Sequence, residues 1–365
     1  MHPYKQVSGN SKKTEYMDEL IINSKPVGLH KAFKSPDFNS KTILVRDHWD
    51  YVEMFLRRKR LNDAAFYWTQ AKEFYKASLD LPNTSSPLTL YYCFLNATKA
   101  LLTVKNVVFT DRHGVAGQTV AGNTNLENEH ITFHRAGILN SLSTYLEDPN
   151  TTVRHQQSFK DLLYNLPFIH RAFSLTYTTH YPEIYIPITN PTFLKDSETR
   201  EVYLSFKTTG NYANGHTTNK ITPIGFSKDN ARSNENTYLF ISNNHFVWSS
   251  HRQHRDRNIQ RLTDFHKTNR RHLHYIIGSS TLWYFKRTSV NHIVDKHPLT
   301  IMFASMHRLS ELARYEPLTL VKHFKLSQNW LLTEFIKGAP MEFIDQISCE
   351  ITNQNFMQPA IRFPV

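Results

Sequence analysis

Polar and apolar residues fall into a regular rhythm only after a polar opening stretch. Residues 1–46 are irregular, with Pro3, Gly9, Pro26, Gly28 and Pro36 scattered through them, and read as an N-terminal arm. From Asp47 the run DHWDYVEMFLRRKR sets Trp49, Val52, Phe55 and Leu56 on one helical face. A second helix follows, capped by Asn62 or Asp63, with Ala64, Ala65, Trp68, Ala71, Tyr75 and Leu79 at three- and four-residue intervals. Leu81-Pro82 ends it. Ser86-Pro87 predicts the start of a third helix, because Ser caps free amides and Pro loses nothing at the first helical position. Its stripe of Leu88, Tyr91, Tyr92, Leu95, Thr98, Leu101 and Leu102 suits an antiparallel pairing with the second helix.

Asp111 to Gly117 reads as a turn and 118–130 as a polar loop, followed by helical stretches over 135–146 and 158–166. The period then changes. EIYIPITNP (183–191), REVYLSFK (200–207), KITPIGFS (220–227) and TYLFISNNHFVW (237–248) alternate β-branched and aromatic residues with polar ones, and STLWYFKR (280–287) adds a further candidate strand. After His297-Pro298 helical spacing returns through Ala313, over 326–336 and over 341–351. Helices, sheet, helices is an α+β order, mainly helical with an inserted small antiparallel β-sheet. The regions are a 1–46 arm, a 47–180 helical region, a 181–292 β-rich region carrying a basic segment at 251–275, and a 293–365 C-terminal helical region.

Composition adds partners to this outline. A net charge of +12, with 20 His that add more below about pH 6.5, favours polyanions such as nucleic acid, or an acidic protein. The 40% hydrophobic and 13% aromatic content supports a globular core rather than disorder. Cys93 and Cys349 show no metal-ligand spacing and point to a reducing compartment. No apolar leader and no long apolar run is visible, so a cytoplasmic protein without a membrane partner is expected. Glycine-rich phosphate loops, nucleophile elbows and paired-carboxylate metal motifs are absent, so no cofactor or metal is expected.

The densest basic feature is HRQHRDRNIQRLTDFHKTNRRHLHY (251–275). Arg252, Arg255, Arg257, Arg261, Arg270 and Arg271 can grip phosphates there while Phe265 or Tyr275 stacks on a base, or the run can simply be a solvated face. In DRHG, Asp111 can orient His113, Arg112 can meet a phosphate and Gly114 permits the turn; a turn-capping Asp with a surface His is the alternative. Tyr91 and Tyr92 read as packing residues, one of whose phenols can project toward His113. Arg308 and Glu311 can pair at i,i+3, and an Arg such as Arg314, brought to DRHG by tertiary packing, would complete a composite site.

Five phrases in order, AAFYWTQAKEFYKAS, LTLYYCFLNATKALL, DRHGVAG, SFKDLLYNLPFIHRAF and MHRLSELARYEP, make the chain similar to the bacterial YaaC-like family over roughly residues 60 to 352. That resemblance implies an organisation and no established activity. YYCFLNATKALL followed by RHG also resembles the helical hairpin of HEPN domains. Many of these are metal-independent ribonucleases or toxins of bacterial conflict and antiviral systems, others are only RNA-binding or structural, and they often dimerise through helical faces. The resemblance implies an RNA-directed effector, possible as a homodimer, or a non-catalytic protein that assembles with a partner subunit. The HEPN signature of Arg, four to six residues, then His is met by Arg261–His266 and Arg287–His292, making Arg261 and His266 candidates alongside Arg112, His113 and Arg314.

Overall fold

The computed structural model describes residues 17–179, 181–213, 215, 225–278 and 280–358. They divide into two compact units, one from the described part of 1–30 with Ile186–His274 and Leu282–Thr288, the other from Lys31–Tyr185, Tyr275–Thr281 and the described part of 289–365. Residues 17–30 thus belong with the strand-rich unit, whereas 275–281 and 289–292 belong with the helical one.

In the first unit, alternating aromatic and β-branched residues build an antiparallel-rich sheet whose central order is Phe226–Asn234, Thr237–Ser242, Glu201–Thr209, Tyr185–Asp196, Leu282–Lys286, Leu273–Ile276. Met17–Glu19 adds to the Tyr185–Asp196 strand and Phe246–Val247 to the Glu201–Thr209 strand, giving eight strands. Phe206 and Phe240 are register partners, and with Phe226 and Phe285 they form a buried aromatic core with centroids 4.8–6.1 Å apart. The basic segment is itself ordered: Arg255–Arg270 is a helix that buries Leu262, Phe265 and His266. Of the 220–227 strand, residues 220–224 lie outside the described residues.

In the second unit the expected first three helices are His48–Arg58, Asn62–Ser78 and Ser86–Val104. Phe74 stacks on Tyr92 and Lys99 lies over Tyr67, so the second and third run antiparallel. Asp47 caps the first by accepting from the Trp49 amide at 2.7 Å. Neither expected cap on the next two forms: Asn62 is already helical, and Ser86 lies inside its helix with its Oγ unpartnered. Trp68 is fully buried, its ring 4.7 Å from that of Trp49 and its Nε1–H donating to Trp49 O at 3.0 Å. Phe94 stacks on Phe343 of the C-terminal helix at 4.0 Å, with the rings parallel to within 1°.

Two corrections follow. The chain is a mixed helix-and-sheet protein rather than mainly helical with a small insert. Among the described residues there are ten α-helices, but strands also form two two-stranded pairs and a three-stranded sheet of Val115–Thr119, Glu129–Phe133 and His155–Ser158. Those last strands hide in sequence because Gln, Thr, His and Glu dominate them, leaving little apolar alternation. Second, the two expected C-terminal helices are one, Asn329–Thr352, that runs through Pro340. Burial of Leu331, Phe335, Ile336, Phe343 and Ile347 along it offsets the hydrogen bond that proline removes.

Replacing Trp68 by Ala is expected to cost about 3–5 kcal/mol, because a large cavity opens beside Trp49 and the indole hydrogen bond to the Trp49 carbonyl is lost. Urea unfolding of the variant measures it.

Candidate functional site

The three-stranded sheet organises the site, and its two ends do different work. At one end Thr119 pairs with Glu129, and at the other Val115, Phe133 and His155 lie side by side.

At the first end, Glu129 is 1% exposed and its carboxylate joins two helices. Oε2 accepts from Arg308 at 2.6 and 3.1 Å, and Oε1 lies 2.9 Å from His323 Nε2, whose Nδ1 faces Gln328 at 3.1 Å. Arg308, from helix Pro298–Tyr315, is 2% exposed and also donates to Thr119, Glu311 and Glu316. Burial pushes the Glu129 carboxyl up, but the bonds from His323 and Arg308 outweigh it and hold the pKa below the ordinary value. Gly117 makes the arrangement sterically open, since a Cβ there would lie 2.2 Å from Arg308 Cδ and from Glu311 Oε2. The expected Arg308–Glu311 pair is present at 3.4 Å as the minor part of this network.

At the other end, the residues entering and leaving the strands surround a cavity of about 490 Å³. Arg112 and His113 lead into the first strand, His134 and Arg135 leave the second, and Arg154 precedes the third. Two glycines bring these stretches together. Gly114 (φ +80°) and Gly137 (φ +119°) approach so closely that a Cβ on Gly137 would lie 2.5 Å from Gly114 backbone. The Ile138 and Leu139 amides, opening helix Ile138–Tyr145, donate to the carbonyls of Arg112 and His113 at 2.8 and 3.1 Å. Among the described residues, no carboxylate lines the cavity. Arg112, Arg135 and Arg154 are exposed, and their side chains make no ion pair or hydrogen bond among the described residues.

Behind the cavity stands an aromatic cluster. His113 Nδ1 is hydrogen-bonded to the Tyr91 hydroxyl, and the His307 ring lies 4.8 Å from that of Tyr91 and 5.5 Å from that of His113. Partial desolvation, then the charge of Lys99, lowers the His113 pKa, so the ring is neutral at pH 7. A phenol both donates and accepts, so Tyr91 can support either His113 tautomer. Burial pushes the Tyr91 pKa up, keeping it a phenol. His307 is pushed down to about 3 by burial and by the neighbouring His113, Arg308 and His134. Its Nδ1 lies 3.5 Å from Glu311 Oε2, an ion-pair distance without hydrogen-bond geometry. Asp111 does not orient His113; it pairs with Lys99 at 3.1 Å.

The remaining candidates lie elsewhere. Arg314 is exposed, stacks over Tyr315 at 4.9 Å and does not line the cavity. Arg261 and His266 form no reactive pair: Arg261 donates to Val247 O, while His266 is fully buried, with Nε2 3.2 Å from His30 N and 3.1 Å from His30 O. Their five-residue spacing separates them by about 140° around a helix. Arg270 is also buried, donating to His30 O and Leu273 O beneath Trp283, so it cannot grip phosphate. Arg255 donates to Asn23, Arg257 and Arg271 are exposed, and the Arg252 side chain lies outside the described residues. Among the described residues, no three His, Cys, Asp or Glu side chains converge as metal ligands, Cys93 and Cys349 are buried free thiols, and no helix is long and apolar enough to cross a membrane.

Arg135, His134 and Arg154 escape sequence reasoning, although one signal was available. His-Arg-Ala-Gly at 134–137 repeats the basic pair beside glycine of Arg-His-Gly at 112–114. A family model described as YaaC-like Protein matches residues 31–351. The chain belongs to the YaaC-like family. The match takes in every residue of the cavity, the aromatic cluster and the Glu129–Arg308 network. No curated protein and no solved structure matches the chain.

Two outcomes test this geometry. Glu129→Ala is expected to cost about 3–5 kcal/mol, while Glu129→Ala with Arg308→Met costs less than the two single changes added, because the second removes the stranded charge; chemical denaturation of the four proteins gives the cycle. The folded-state pKa of His307 lies below its unfolded value of about 6.5, so its contribution is complete above that pH and declines as pH falls toward about 3. Thermal melts between pH 7.5 and 4.5 should therefore show a shallower acid-side loss in His307→Gln than in wild type.

Proposed function

We propose that this YaaC-like protein is an RNA-directed effector, and that its contact with the phosphate backbone is made at the Arg112/Arg135/Arg154 cavity. The observation carrying this reading is that three guanidiniums and two imidazoles ring one cavity where, among the described residues, the guanidiniums have no partner and no carboxylate lines the wall. Guanidinium forks match phosphate oxygens, and leaving three of them unpaired around one concavity favours an anionic ligand.

Cleavage without a metal is the chemistry this site suits. Neutral His113 takes the proton of a ribose 2′-hydroxyl, and the 2′-oxygen attacks the adjacent phosphorus. The 5′-oxygen leaves with a proton from solvent in the open cavity, giving a 2′,3′-cyclic phosphate and a 5′-hydroxyl end. The arginines stabilise the charge that builds on the phosphorane. Tyr91 and His307 act as positioning residues. On this reading the helix pair Asn62–Ser78 and Ser86–Val104 is an HEPN-like hairpin, and the setting is a conflict or antiviral system in the cytoplasm, with a homodimer or partner subunit as its assembled form.

A second reading, a non-catalytic protein that docks nucleic acid through its basic helix, draws support from the exposed Arg255, Arg257 and Arg271. One experiment separates the two. Single-stranded RNA binding is measured against salt, and cleavage in EDTA is followed on the same RNA. Arg112→Ala/Arg135→Ala/Arg154→Ala should reduce the slope of log K against log salt by about 2, from about 0.7 per phosphate contact. His113→Ala should retain binding and lose cleavage by at least about 100-fold. Binding that survives the triple change and is lost with Arg255→Ala/Arg257→Ala would favour the basic helix instead.

A further inference from the structure

The three guanidiniums of the basic cavity do not leave the sheet at one place. Its strand order is Val115–Thr119, Glu129–Phe133, His155–Ser158, so Arg112 and His113 precede one edge strand, His134 and Arg135 follow the central strand, and Arg154 precedes the opposite edge strand. Val115 pairs with Phe133 and Phe133 with His155. At that end the two edge strands therefore lie two strand spacings apart, about 10 Å.

Backbone contacts sharpen the division. His134 N donates to Gly114 O at 3.0 Å, and the Ile138 and Leu139 amides donate to Arg112 O and His113 O, so the stretch before the first strand is knitted to the stretch after the second. Arg112, His113, His134 and Arg135 thereby form one group. Arg154 arises from outside it. Its origin is fixed through His155, whose ring stacks parallel on that of its register partner Phe133 at 4.9 Å. Lys296 Nζ lies 5.1 Å from the Phe133 centroid and donates to Pro149 O at 3.1 Å, which backs the pair. Charge counts in the same direction. An internal phosphodiester carries one negative charge and two free oxygens, which one or two guanidinium forks satisfy. Three forks without a partner among the described residues, rooted across the whole width of the sheet, exceed that demand and match two successive phosphates.

We propose that the cavity holds two consecutive phosphates of one strand: Arg112 and Arg135 take the phosphate beside His113, and Arg154 takes its neighbour in the chain. The ligand is thus a run of at least three nucleotides. Arg154 sets affinity and length preference, while the phosphate facing His113 is held by the other two arginines. This rests on the reading of the cavity as an RNA-phosphate site and does not require that the RNA be cleaved there.

The test is competition by UpU and UpUpU, which carry one and two phosphates, against a fluorescent single-stranded RNA bound to the full chain at low salt; phosphate contacts carry no sequence information, so uridylates suffice. In wild type UpUpU should compete about tenfold better than UpU, and in Arg154→Ala that ratio should fall to about twofold, the statistical gain from two equivalent phosphates. Arg154→Lys keeps the charge without the fork and should restore part of the difference. Arg112→Ala should weaken UpU and UpUpU by the same factor. Arg154→Ala weakening UpU as much as UpUpU, or a wild type that holds the two alike or neither, would overturn the proposal while leaving the RNA reading in place. RNA binding that survives Arg112→Ala/Arg135→Ala/Arg154→Ala would overturn that reading as well.

Discussion

A carboxylate 1% exposed holds the functional end of this molecule in place. Glu129 carries its charge inside the protein because Arg308 and His323 meet its two oxygens, and each comes from a different C-terminal helix. Removing charges from water costs several kcal/mol per ion, so such a contact persists only when every partner is in register. Arg308 is satisfied by Glu129, Thr119, Glu311 and Glu316 together, and Gly117 leaves the space its side chain crosses. The three-stranded sheet is thereby locked to the helix bearing His307 and Arg308.

The basic cavity follows from that lock. Register carries the constraint along the sheet from the Thr119–Glu129 pair to Val115, Phe133 and His155, where the chain turns and the arginines emerge. His307, next to the locked Arg308, is placed against Tyr91, and Tyr91 against His113. At one end of the sheet the buried guanidinium and carboxylate pair with each other, while at the other three guanidiniums have no counterion among the described residues. That asymmetry separates a charged residue used for folding from one available to a ligand.

Sequence reasoning reached the parts governed by local physics. The paired helices were legible because Trp68, Tyr75, Tyr91 and Tyr92 recur at helical spacing, and the large sheet because aromatic and β-branched residues alternate. His113 and Arg112 were legible through a turn bearing its own glycine. Glu129, His134 and Arg154 were not, because the strands they sit in or beside are polar and the partners of Glu129 lie far along the chain. Charge density also misled. Arg270 and His266 sit in the most basic stretch and are buried structural groups, whereas the sparser arginines at 112, 135 and 154 face solvent. Burial depends on tertiary packing, which a charge count does not contain.

The central claim is that RNA phosphates meet this protein at the far end of the Glu129-anchored sheet. Ultraviolet cross-linking of a single-stranded RNA to the full chain, followed by peptide mapping, addresses it most directly. The account predicts adducts on the segments around residues 112–115, 133–136 and 154, lost at high salt. Adducts confined to 255–271, with the cavity segments unmodified, would contradict it.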